Sequence, residues 1–222
     1  MKPDAKMTMM TTLVLVVLIL LTFLSVVTLF RVNQVYFLLA ESSAITTDVG
    51  LVANVSADDD PFLGSPAAPV AIVCFLDYSC GACSEVQETL AQIVEAYGDQ
   101  VRFVFRDFPL GGPGTPSFNA ALAAECADQQ GKFWEMRDLL FANQPAFDRG
   151  SLRSYAASLG LDALTFDGCL SAAETTAEVE QDYADGQSYG VSSTPTCFVN
   201  GRRLVGTVSF SVFRRAVDEA LQ

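Results

Sequence analysis

The stretch from Val70 to Glu85 constrains this chain most. An apolar run, Val70-Ala71-Ile72-Val73-Cys74-Phe75-Leu76, leads through Asp77-Tyr78-Ser79 into Cys80-Gly81-Ala82-Cys83-Ser84-Glu85. The run is too short for a surface helix, rich in β-branched residues and preceded by Pro66 and Pro69, which is the pattern of a buried strand. From Ser84 to Tyr97 the apolar positions Val86, Leu90, Ile93 and Val94 recur at helical spacing, placing Cys80 at or near a helix N-terminus. Unpaired backbone N–H groups and the positive end of the helix dipole favour a thiolate there. The second thiol, Cys83, can attack a mixed disulfide formed by the first, so the pair reads as a redox couple. Zinc sites also use CxxC, but the chain has no His and no second CxxC, and Cys74, Cys126, Cys169 and Cys197 are scattered singly. The absence of His also excludes Ser-His and Cys-His hydrolases.

The segment before this stretch belongs to a membrane. Between Lys6 and Arg31 no residue is charged, and from Leu13 onward the sequence is dense in Leu, Val, Ile, Phe and Met, long enough to cross about 30 Å of hydrocarbon. A cleaved signal peptide would have a shorter apolar region followed closely by a small-x-small site, and the nearest such site, Ser42-x-Ala44, lies well past Arg31. Residues 7–30 are therefore expected to be a retained transmembrane anchor. Lys2, Lys6 and the terminal amine precede the span and only Arg31 follows it closely, which leaves residues 1–6 as a cytoplasmic tail and the catalytic part outside, periplasmic or extracytoplasmic. Exported cysteines can persist as disulfides. Residues 31–60 read as a juxtamembrane stalk and linker, with Gly50–Val55 a short strand at most, and the globular domain is expected from Pro61 to Gln222.

Within that domain Val101–Phe108 alternates as a second strand ending at Pro109. A helical pattern then runs from about 116 to 189, in the segments Phe118–Ala127, Phe133–Phe141, Ser151–Leu159, Leu161–Leu170 and Ala173–Tyr189. Thr196–Val199, the turn Asn200-Gly201 and Arg202–Val205 form a hairpin, and Ser209–Leu221 a closing helix. This order is α/β.

A strand, a CxxC at a helix start and a later Thr194-Pro195 opening a hairpin resemble a thioredoxin fold, and the helical block before that proline resembles the DsbA family of thiol:disulfide oxidoreductases. The resemblance runs over roughly residues 58–222, through Asp-Tyr-Ser-Cys-Gly-Ala-Cys, Arg106-Asp107-Phe108-Pro109-Leu110, Gly131-Lys132-Phe133-Trp134-Glu135-Met136 and Thr194-Pro195-Thr196. With the anchor, the whole is most similar to membrane-tethered, BdbD-like members. The fold class expected is thus an α/β thioredoxin fold with an inserted helical block and one N-terminal transmembrane helix. The resemblance implies Cys80 as exposed nucleophile, Cys83 as resolving thiol, Pro195 as a cis-proline beside the substrate, and a membrane partner that reoxidises the couple. Independently, a residue before proline is held extended, which leaves the peptide groups of Thr194 free for an extended, unfolded chain.

The remaining features take plainer readings. Cys126 and Cys169, each on a helix of the block, are expected as a structural disulfide. Cys74 and Cys197 fall at similar depth on neighbouring strands, and are either two small buried hydrophobes or a second buried pair with Cα atoms within about 7 Å. Phe133, Trp134 and Met136 suit the core, Asp77 either a group that tunes Cys80 or a plain polar residue of a strand-end loop, and the run Glu174, Glu178, Glu180, Asp182, Asp185 a solvated helix face. Gly81 and Ala82, between the cysteines, offer no charge or side-chain donor to tune the thiolate. A net charge of −13 argues against nucleic acid as a partner. The expected activity is disulfide exchange on reduced or unfolded exported proteins, with no metal or organic cofactor required. The direction of electron flow stays open between introducing disulfides and a reductase or isomerase kept reduced by a membrane donor; a non-catalytic tethered binding or chaperone domain is the remaining alternative.

Overall fold

A computed structural model describes residues 15, 18–34, 51–52, 55–57 and 60–222. The chain divides into two units, residues 1–46 and 47–222. In the first, residues 18–34 are helical and expose their apolar side chains, Leu18, Phe23, Leu24, Leu29 and Val32 among them. Among the described residues no helix is long and apolar enough to cross a membrane. Residues 7–14 and 16–17 of the expected 7–30 span lie outside the described residues.

The second unit is built on a five-stranded sheet: β1 (Phe62–Gly64), β2 (Val70–Leu76), β3 (Val101–Asp107), β4 (Thr196–Val199) and β5 (Arg202–Val205), in the order β1-β3-β2-β4-β5. β2 and β3 are parallel; the other neighbours are antiparallel. The parallel pair needs a crossover, which α1 (Gly81–Tyr97) supplies. Both central strands are buried on two faces, and their alternate residues feed two cores. Val70, Ile72, Cys74 and Leu76 of β2 join Val101, Phe103 and Phe105 of β3 under α1, while Val73, Phe75 and Val104 face the other way with Phe108, Val191 and Phe198.

Between β3 and β4 lie α2 (Pro116–Asp128), α3 (Phe133–Ala142), α4 (Arg149–Ser158), α5 (Ala163–Cys169) and α6 (Ala173–Ser188); α7 (Phe210–Ala220) closes the chain. Their starts follow ordinary capping chemistry. Thr115 accepts from Phe118 N with Pro116 behind it, Asp148 accepts from Gly150 N and Ser151 N, and Asp162 accepts from Thr165 N. The side chains of α2 to α5 complete the first core, including Phe133 and Met136, and Tyr183 and Tyr189 pack on the second.

The folded unit begins earlier than Pro61. Val52 N donates to Gly201 O at 2.9 Å, Leu51 bridges Arg202, and Ser56 N donates to the Tyr189 hydroxyl at 3.1 Å. Val52, Val55 and Ala57 also pack on the second core, so apolar residues in a polar segment mark a strap and not a free linker. β1 is a further strand that its three residues, with a glycine at φ +91°, leave without a readable period.

Candidate functional site

β2 delivers the chain to the carboxyl end of the sheet, where Asp77 to Ser79 turn into α1. Cys80 is the N-cap of that helix, in extended conformation and without a side-chain capping hydrogen bond. Its carbonyl accepts from Cys83 N at 3.1 Å and Ser84 N at 3.2 Å. Cys80 is half-buried and its thiol points at the Thr194 carbonyl, 3.5 Å away. Cys83, one turn on, is buried completely against the sheet. That burial pushes the Cys83 thiol well up, while the backbone of Asp77 and the Thr194 side chain beside it act in the opposite direction. The Thr194-Pro195 bond is cis, and Pro195 is buried at the head of β4. Cys80, Cys83, Thr194 and Pro195 are thus brought together from positions more than 110 residues apart. Gly81 is exposed with open space around its Cα, and Ala82 is half-buried.

Two residues of this site go beyond what the sequence singles out. Asp77 is buried, and its carboxylate accepts from Ser79 N at 2.7 Å, from Leu110 N at 2.9 Å and from the Ser117 hydroxyl, while its carbonyl accepts from Cys80 N. It ties the active-site turn to the loop after β3 and to α2, which is more than a polar group at a strand end. Gln144, between α3 and α4, donates from Nε2 to the carbonyls of Tyr78 and, at 3.3 Å, Cys80. A glutamine in a loop 64 residues away carries no pattern that points to this contact.

The other four cysteines are paired. Cys126 and Cys169 join α2 to the end of α5 with Cα atoms 5.6 Å apart. Cys74 and Cys197, directly opposed in the β2–β4 register, are bonded with Cα atoms 4.0 Å apart, inside the limit of about 7 Å for bridging.

The acidic run of α6 is not wholly solvated. Asp182 is buried and takes Arg106 Nε at 2.7 Å and Asp107 N at 2.7 Å; Arg106 also reaches Asp185 at 3.0 Å and Asp60 at 3.0 Å. Arg106 occupies an inward position of β3, so its charge needs buried partners, and α6 and the strap provide them. Carboxylate oxygens of Asp60, Glu178 and Asp182 lie within 4.8 Å of one another, the one grouping among the described residues that could bind a metal ion, and the Arg106 guanidinium already contacts two of the three.

A half-exposed thiol at a helix start, a buried partner thiol one turn on and, facing the first, the carbonyl of Thr194 just before a cis-proline form an arrangement chemically suited to dithiol-disulfide exchange. The family model described as Thioredoxin matches residues 56–219, and the chain belongs to that family. Its fold is that of the DsbA- and BdbD-type thiol-disulfide oxidoreductases. A thioredoxin-like oxidoreductase from Silicibacter pomeroyi shares 32% identity with a TM-score of 0.67 over 74% of this chain and 93% of that one. Oxidised BdbD from Bacillus subtilis shares 26% identity with a TM-score of 0.67 over 75% of this chain and 95% of that one. Among curated proteins, the Na(+)/H(+) antiporter NhaA 1 of Mycobacterium sp. strain KMS is 33% identical over 193 residues, 85% of this chain but 32% of the antiporter. NhaA 3 of Salinispora tropica is 36% identical over 183 residues, 82% of this chain and 28% of the antiporter. The chain spans about a third of the length of these relatives, and the antiport in their names belongs to proteins that are mostly unmatched here.

Proposed function

We propose that this protein introduces disulfides into reduced or unfolded exported proteins through the Cys80–Cys83 couple, held at the outer face of a membrane by residues 7–30. The observation that carries the reading is the asymmetry of the two thiols: Cys80 is open to a substrate and set at the carbonyl of Thr194, and Cys83 is closed to it. A substrate thiolate attacks Cys80 of the oxidised pair, the S–S bond to Cys83 breaks, and a second substrate thiolate displaces Cys80, leaving the pair reduced. Thr194 offers its peptide groups to the extended substrate chain during this step. The anchor is supported by the apolar side chains exposed along the helix at 18–34, which need an apolar surrounding. A membrane redox partner returns the couple to its oxidised form.

The reverse flow, as reductase or isomerase, draws on the bare Gly81-Ala82 dipeptide, which gives the reduced thiolate no side-chain donor. The reduction potential of the domain, set against that of its compartment, decides direction. In parallel, Cys83→Ser is expected to accumulate mixed disulfides with substrate proteins on non-reducing gels, and Cys80→Ser to form none. Full exchange activity in Cys80→Ser would sink the assignment.

A further inference from the structure

Cys74 and Cys197 sit under the exchange centre. Cys74 lies on the strand that leads to Cys80, and Cys197 on the strand that follows Pro195, opposite each other in register. Both join the core cluster that also encloses Cys83 together with Val86, Leu90 and Ile93, the sheet-facing residues of α1. Their disulfide therefore occupies the sheet face toward which Cys83 projects. At 0% and 2% exposure it is sealed from reductants in solution. Within that cluster the free thiols are those of Cys80, packed at its edge, and Cys83.

We propose that Cys74–Cys197 is a second redox pair that exchanges electrons with the active-site couple through Cys83. The proposal rests on the Cys80–Cys83 couple being the one that turns over. After a substrate has left both active-site thiols reduced, the Cys83 thiolate attacks one sulfur of the buried pair. A Cys83 bond to that sulfur forms, the Cys74–Cys197 bond breaks, and the departing thiolate takes up a proton. Cys80 then attacks Cys83, restoring Cys80–Cys83 and releasing the second buried thiol. Two electrons pass from the active-site couple to the buried pair, and the two protons lost above are gained below. The fold would then hold two oxidising equivalents at one centre, the lower reachable through the upper alone.

The test treats the oxidised full-length chain with excess dithiothreitol, quenches by alkylation at timed intervals, and reads each cysteine by peptide mass spectrometry. Expected in the native chain is reduction of Cys80–Cys83 followed by Cys74–Cys197; in Cys83→Ala, reduction of the buried pair should slow by about 100-fold or more, to the rate at which the core opens. In Cys80→Ala, where Cys83 cannot be recaptured, a peptide pair linking Cys83 to Cys74 or Cys197 should accumulate. Equal rates of buried-pair reduction in native chain and Cys83→Ala overturn the proposal, as does a buried pair that survives while Cys80 and Cys83 turn over with no link to Cys83 in Cys80→Ala. Failure of Cys80 and Cys83 themselves to form or release a disulfide removes the parent reading instead, so the two failures are read from different cysteines.

Discussion

Between Cys80 and Cys83 the chain places two residues that give the sulfurs only backbone. The Gly81 position is open, and nothing lies within 4 Å of where a Cβ would be; Ala82 is half-buried at the helix start. An imidazole at position 82 adds a donor and, when protonated, a positive charge near the reduced thiolate. That stabilises the reduced form and makes the couple more oxidising. Ala82→His is expected to raise the reduction potential by about 30 mV or more, the shift that corresponds to tenfold in the equilibrium with glutathione. An unchanged or lower potential would contradict the argument. A second residue-scale consequence lies at Asp182. Burial pushes its pKa up to about 6 even against the attraction of Arg106. Asp107 beside it moves the same way for the same cause, with Glu125, Asp182 and Asp60 adding repulsion. From the ordinary aspartate range up to about 6 the folded state keeps a proton that the unfolded chain has released. The stability linked to this proton is therefore complete below that range and lost as pH rises through it. Urea unfolding from pH 4 to 7 should show the native chain losing ground against Asp182→Asn over that window; a constant difference between the two would refute the linkage.

At the scale of elements, α6 is fitted to the sheet through one glycine. A Cβ on Gly186 would come within 2.7 Å of the Phe108 ring and 2.9 Å of Phe75, both fully packed. Gly186→Ala gains helix propensity worth less than about 1 kcal/mol but forces aromatic side chains off their positions, and a net loss of about 1–3 kcal/mol is expected in chemical unfolding. The elements themselves were largely legible. Helical spacing in the insertion, an apolar β-branched run in β2, alternation in β3 and the Asn200-Gly201 turn of the hairpin located these elements within a few residues, because burial and turn geometry leave local patterns in the sequence. The meeting of Cys80 with Thr194 beside Pro195 was legible because a CxxC after a strand and a proline before one are local signals. Asp77 was visible as a residue but not as the clamp it forms, since its partners Leu110 and Ser117 come from elsewhere in the chain. Asp182 was misread as solvated because acidic residues at helical spacing ordinarily face water. The corrective signal was Arg106, a cation at an inward position of an apolar strand, which demands an acid from some distant segment without saying which. Gln144 had no such signal, and of the short strand expected over Gly50–Val55 the described residues show a bridge at Leu51.

For the whole molecule, the charge and the apolar surface are divided between parts with different surroundings. The helix at 18–34 exposes Leu, Ile, Phe and Val along its length, whereas residues 47–222 form a unit with its own two cores and both disulfides. A compact unit with its own core is expected to fold without residues 1–46, and the proposed tether puts the exposed apolar helix surface in lipid. Removing residues 1–46 is thus expected to leave the unfolding midpoint in urea and the rate of dithiol exchange unchanged within error. The truncated chain should stay in the supernatant after high-speed centrifugation, and the full chain should pellet with membranes and leave them on addition of detergent. In sealed vesicles or spheroplasts, protease added from outside should degrade residues 47–222 of the full chain, since Lys2 and Lys6 bias the short end toward the cytoplasm. A full chain that remains in the supernatant, or one protected from that protease, would remove the tether or its orientation from the reading. A truncated chain that loses its cooperative unfolding would show instead that the N-terminal residues belong to the fold.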